Sequence, residues 1–122
     1  MIPPVRVDDG GNGGIGLAVA ISMATTQHTA RSITAPSELG LETRVSFREA
    51  AIAELESLSD GGTLSVDLAG TERVDSAGLS ALMLIQRRAA EHGQRILLCH
   101  PSDEFRYLLA LTQLTDLFEL ES

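Results

Sequence analysis

Asp75 and Ser76 are adjacent residues whose types could do chemistry at a defined place in the chain. They precede a run of good helix formers that extends from Ala77 to Ala90. A helix starting there leaves its first backbone N–H groups without intrahelical partners, and its dipole puts positive potential at the same end. Either side chain can cap those groups. The pair thus presents a hydroxyl beside a carboxylate where negative charge is favoured. It does not read as a hydrolytic pair, because a serine needs a base within reach to become a nucleophile and none is apparent near Ser76. As a cap alone, Ser76 would contribute about 1 kcal/mol. Gly78 costs the helix roughly 1 kcal/mol relative to alanine and is expected to leave the backbone open to a close-approaching partner. Leu79, Leu82 and Met83 point one way along this helix, and Ala81, Leu84 and Ile85 are displaced around its axis. One side must pack on a sheet, and the rest is expected to form an exposed apolar patch of the kind that marks a partner site.

Other residues capable of chemistry are scattered. His28, His92 and His100 fall in a loop, at a helix end and at a strand end, and read as surface histidines. Gly10–Gly14 is glycine-rich but lacks the Gly-Lys-Ser/Thr ending of a phosphate loop. There is no Gly-x-Ser-x-Gly elbow. The single cysteine, Cys99, excludes an intrachain disulfide and a multi-cysteine metal site, and within Ile96-Leu-Leu-Cys it reads as a small buried hydrophobe. No enzyme, metal or cofactor is predicted.

The elements that must position Asp75 and Ser76 follow from periodicity. Leu64, Val66 and Leu68 alternate with Ser65 and Asp67, which predicts a strand entering the Asp75 loop. Upstream, Gly16–Met23 and Ser32–Pro36 read as short strands, Thr25–Arg31 as a loop, and Ser37–Glu42 as a bend. A helix is expected from near Thr43, with Phe47, Ala51, Leu55 and Leu58 on its apolar stripe, Arg44, Arg48, Glu49, Glu54 and Glu56 on its wet face, and Gly61-Gly62 as its stop. Downstream, Ile96–Cys99 is expected to be a strand covered on both faces. Ser102 is a plausible N-cap for a third helix with Phe105, Leu108, Leu109 and Leu111 inside, and Leu117–Leu120 is a possible last strand. Strands alternating with helices predict an α/β fold: a mixed, mainly parallel sheet of four or five strands with about three main helices, whose first strand pair could be antiparallel. Residues 1–31 are read as an N-terminal segment of uncertain order that could contribute a first strand, and residues 32–122 as the domain proper. Met23 is an alternative start.

Composition narrows the function classes. The 122 residues suit one domain, and 43% hydrophobic residues against 3% aromatic predict an aliphatic core. A net charge of −8 argues against a nucleic-acid surface and against electrostatic attachment to anionic lipid. No apolar run approaches the roughly 20 residues needed to cross a bilayer. The segment before Ile15–Ile21 carries Asp8 and Asp9 against a lone Arg6, unlike the basic start of a signal peptide. The expectation is a cytoplasmic protein without membrane insertion.

Val74-Asp-Ser-Ala-Gly-Leu79, preceded by Leu64-Ser-Val-Asp-Leu-Ala-Gly70, resembles the signature of STAS domains, the family of bacterial anti-sigma factor antagonists and sulfate-transporter tails. Ala35-Pro-Ser-Glu-Leu-Gly-Leu-Glu-Thr43 resembles the family's turn before its first helix, and Pro101-Ser102 with Leu114-Thr-Asp-Leu-Phe118 resembles its C-terminal end. The resemblance covers about residues 32–120. It implies the STAS fold and a binding function in which Ser76 is phosphorylated by the partner, an anti-sigma factor serine kinase. It also implies a docking surface that includes Asp75, Ser76, Ala77, Gly78, Leu79, Leu82 and Met83. The alternative it carries is an accessory subunit of a lipid-transport ABC system, docking the same helix on an ATPase. Two positions depart from the pattern: Ala77 stands where a second Ser or Thr is common, and Gly40 where an acidic residue is usual.

Overall fold

The computed structural model describes residues 28–121. Its elements in chain order are β1 (His28–Thr34), β2 (Glu38–Leu39), α1 (Arg44–Ser57), β3 (Leu58–Asp67), β4 (Arg73–Val74), α2 (Ser76–Ala90), β5 (Arg95–Cys99), α3 (Asp103–Leu111), a 3-10 turn (Thr115–Leu117) and β6 (Glu119–Glu121). The main sheet has the order β1-β3-β5-β6 and every pair in it is parallel. β2 and β4 form a second, two-stranded parallel sheet. The expected α/β architecture with three helices is therefore present, and no described pair is antiparallel.

Register explains the core. Leu64 lies opposite Ile96, and Val66 opposite Ile33 and Leu98. Leu64, Val66, Ile96 and Leu98 are buried, whereas Ser65, Asp67, Leu97 and Cys99, which alternate onto the other face, are only half-buried. The sheet is thus fully covered on one face, not on both as the continuous run Ile96–Cys99 suggested. Phe47, Ala51 and Leu55 of α1, Leu79, Leu82, Ile85 and Ala89 of α2, and Phe105 and Leu109 of α3 complete a single hydrophobic cluster on that covered face. No helix among the described residues is long and apolar enough to cross a membrane.

Four boundaries differ from the sequence expectation. Among the described residues β1 spans His28–Thr34, so it takes in part of the expected loop and ends at Thr34. Its polar residues are held by backbone pairing to β3, and such pairing overrides weak strand propensity. α1 ends at Ser57, before Gly61-Gly62, because Leu58 turns extended and buries its side chain. The Gln94 amide, itself buried, donates to the Leu55 and Leu58 carbonyls at 3.1 and 3.2 Å and satisfies acceptors the helix end leaves open. Gly61 instead serves an irregularity in β3. Between the pairs His28–Leu58 and Ala30–Thr63 the register jumps, and Gly61 sits there with φ +82°. At the C-terminus, Phe118 is buried after the 3-10 turn, and the last strand starts at Glu119. The expected strand at Gly16–Met23 lies outside the described residues.

Candidate functional site

α2 starts where β4 ends, and Asp75 is the joint between them. The Asp75 N–H donates to the Leu39 carbonyl, which carries the β2–β4 pairing into the helix. Its carboxylate accepts twice: Oδ1 from the Gly78 N–H at 2.9 Å and Oδ2 from the Leu41 N–H at 3.2 Å. One side chain thereby caps α2 and holds the loop before α1 against it. Thr43 ties the same loop from inside, accepting from the Gly40 N–H at 3.0 Å and donating to the Glu38 carbonyl at 2.7 Å. The Gly78 N–H bond lowers the Asp75 pKa against a smaller opposing effect of desolvation, with further help from the Leu41 and Ala77 N–H groups.

The cap is therefore Asp75 and not Ser76, which occupies the first position of the helix with its side chain exposed. The hydroxyl that capping would have consumed is free to face a partner. No acidic residue lies in the first turn of α2, so the carboxylate that meets its positive end is the Asp75 cap.

The seven residues expected to dock a partner separate into two groups. Asp75 and Ser76 are exposed, and Ala77 and Met83 are half-buried. Gly78, Leu79 and Leu82 are buried, Leu82 with no exposure at all. The expectation that Gly78 leaves room for a partner is corrected by its neighbour: a Cβ there would overlap the backbone carbonyl of Leu39. The space is used inside the molecule, where α2 crosses close over β2. Leu82 and Ile85 face the core, so the apolar residues this helix leaves outside are Leu84 and part of Met83. Gly40 has a similar explanation. A Cβ at this position would overlap the Asp75 carboxylate, so a longer side chain there would displace the clasp.

Sequence reasoning missed residues from α1 that share this end of the molecule. Arg44 and Arg48 line a shallow groove with Ala77, Ser80, Ala81 and Leu84. Leu41 and Val45, at helical spacing from them, are also exposed. The available signal was that the two arginines stand four residues apart with no carboxylate at a neighbouring helical position. Elsewhere, a larger groove of about 380 Å³ runs between α3 and the β3–β4 connection, with Leu68, Val74, Phe105 and Leu108 among its walls. Cys99 is half-buried, and burial followed by its contact with Glu121 raises its pKa, which keeps the thiol protonated. Among the described residues no group of three or more His, Cys, Asp or Glu side chains is placed to hold a metal ion.

Comparison with known proteins agrees with this geometry. The family model described as Mlab, STAS domain, matches residues 23–120. No curated protein matches the chain. Among solved structures, a putative anti-sigma factor antagonist from Thermotoga maritima superposes with a TM-score of 0.64 at 20% identity, covering 75% of this chain and 79% of that one. An anti-sigma-factor antagonist (STAS) domain protein from Planctomyces limnophilus gives 0.67 at 19% identity, covering 75% and 80%. The anti-sigma factor antagonist SpoIIAA in its unphosphorylated form gives 0.55 at 14% identity, covering 80% and 82%. With a family model matched over most of its length and a sheet and helix order to suit, the chain belongs to the STAS domain family.

Proposed function

We propose that this domain is an anti-sigma factor antagonist: a non-enzymatic, cytoplasmic bacterial binding protein that docks an anti-sigma factor serine kinase through the N-terminal end of α2 and is switched by phosphorylation of Ser76. The observation that carries the reading is the exposed Ser76 hydroxyl at the first position of a helix whose cap is supplied by another residue. A phosphoserine there adds about −1.5 to −2 charge at a helix N-terminus, where the dipole favours it, so the fold tolerates the modification. The same charge beside the exposed Asp75 carboxylate repels and desolvates badly against a docked partner. The switch therefore acts on binding, not on folding.

A second reading is favoured by the Mlab description of the matching family model and by Ala77, which leaves the motif a single hydroxyl. In it the domain is an accessory subunit of a lipid-transport ABC system, α2 docks on the ATPase subunit, and Ser76 is unmodified. Capture of the tagged protein with its partners from the native cytoplasm, followed by incubation with ATP and mass spectrometry, separates the two. The first reading predicts phosphate on Ser76 in the wild type and none in Ser76→Ala. An ATPase partner with Ser76 unmodified would replace it by the second.

A further inference from the structure

Arg44 and Arg48 are two of the 9 basic residues in a chain with 17 acidic ones. Arg31, Arg88 and Arg95 are each committed to an ion pair, with Glu54, Glu56 and Glu119. Arg44 and Arg48, like Arg73 and Arg87, have no ion-pair or hydrogen-bond partner among the described residues, but Arg44 and Arg48 stand one helical turn apart on one groove. Their helical neighbours three and four positions away are Gly40, Leu41, Phe47, Val45, Ala51 and Ile52, none of them acidic. Each is also the other's neighbour one turn away, a like-charge spacing that weakens a helix. The facing wall, from α2, supplies Ala77, Ser80, Ala81 and Leu84, again without a carboxylate. An acidic protein thus keeps two uncompensated cations together in one groove. Leu84, in the groove wall, is 37% exposed, and Val45, next to Arg44 in the chain, is 42% exposed.

We propose that the groove between α1 and α2 takes an acidic helix of the binding partner, with two of its carboxylates on Arg44 and Arg48 and its apolar side chains on Leu84 and the neighbouring Val45. Arginines one helical turn apart match carboxylates one turn apart on the partner, and guanidinium groups bind carboxylates in a directed, bidentate way. Ser80 adds an exposed hydroxyl to the same wall. The inference rests on the reading that this end of α2 docks a protein, and it supplies that reading with a chemistry. Ser76 lies one turn before Ser80, so a phosphate on it stands at the end of the groove, where it repels an incoming carboxylate and competes for the arginines.

The test titrates a fluorescein-labelled, helix-forming peptide carrying leucines and two glutamates one turn apart into the full chain. Peptides with glutamine or lysine in place of glutamate serve as controls, and amide shifts of Ala77, Ser80 and Leu84 locate binding. The glutamate peptide is expected to bind at least about tenfold more tightly than the glutamine peptide, and to weaken as salt rises. Arg44→Ala with Arg48→Ala should remove that advantage, and Arg44→Lys with Arg48→Lys should keep part of it. Equal binding of the glutamate and glutamine peptides, or binding indifferent to the double alanine variant, overturns the proposal. Ser76→Asp separates this outcome from failure of the switch. If the glutamate peptide needs the arginines but binds Ser76→Asp unchanged, the groove stands and the phosphoswitch falls.

Discussion

α2 and α3 begin with the same device and put it to different use. Asp75 accepts from the N–H three residues on, at Gly78, and Ser102 accepts from the N–H three residues on, at Phe105, at 3.0 Å. After that the two helix ends diverge. α3 follows its cap with Asp103 and Glu104, which match the helix dipole, and then buries Phe105. α2 follows its cap with Ser76, Ala77 and Gly78, places no carboxylate in its first turn, and brings its third position hard against the backbone of β2. The start of α3 is electrostatically complete by itself. The start of α2 is anchored as firmly, its dipole met by the Asp75 carboxylate, but leaves the Ser76 hydroxyl outside. A rigid frame that keeps a serine hydroxyl out of the cap is what distinguishes this end of α2 from the start of α3.

The largest expected effects come from the third helical position. Phe105→Ala should cost about 3–5 kcal/mol through lost burial and a cavity. Gly78→Ala, although it improves helix propensity, should cost about 1–3 kcal/mol because the added methyl overlaps the Leu39 carbonyl. Urea denaturation measures both, and a stabilised Gly78→Ala would show that α2 does not cross β2 so closely. A smaller effect distinguishes the hydroxyls. Ser102→Ala should lose about 1 kcal/mol as a missing cap. Ser76→Ala should fall within about 0.5 kcal/mol of wild type, as a surface change does. Equal losses at the two serines would return Ser76 to a capping role. The smallest effect is a pH dependence. Asp75 has a lowered folded pKa, so its ionised clasp stabilises the fold above its unfolded pKa and is lost as pH falls through the folded value. The stability difference between wild type and Asp75→Asn should therefore shrink below about pH 4, and a difference that persists unchanged into acid would contradict the clasp.

The central part of the fold was legible because local and tertiary signals agree there. Leu64, Val66 and Leu68 alternate as a half-covered strand must, and Ser102 precedes two acidic residues at a helix start. The Asp75-Ser76 pair announced the start of α2 but could not reveal which residue caps it. That depends on Leu41, whose N–H holds the second oxygen of Asp75 from 34 positions away. Gly78 was misread for the same reason: its neighbour Leu39 is distant in sequence, so the space beside it looked empty. Leu82 and Ile85 looked available because the helix is apolar around more than one face, and only the packing of α1 and the strands shows which face is covered. The first half of β1, read as loop, was hidden by its polar composition, since its place is fixed by backbone pairing with β3. Arg44 and Arg48 looked like ordinary wet-face residues until α2 was laid beside them.

Charge at Ser76 is expected to act on binding without acting on the fold. Isothermal titration of the wild type and of Ser76→Asp with the partner captured from a native cell extract, alongside their melting temperatures, tests this directly. The account predicts that Ser76→Asp melts at or slightly above the wild-type temperature, because a carboxylate suits the first turn of a helix, and binds at least about tenfold more weakly, a loss of roughly 1.4 kcal/mol or more. Unchanged affinity in a folded Ser76→Asp would contradict it.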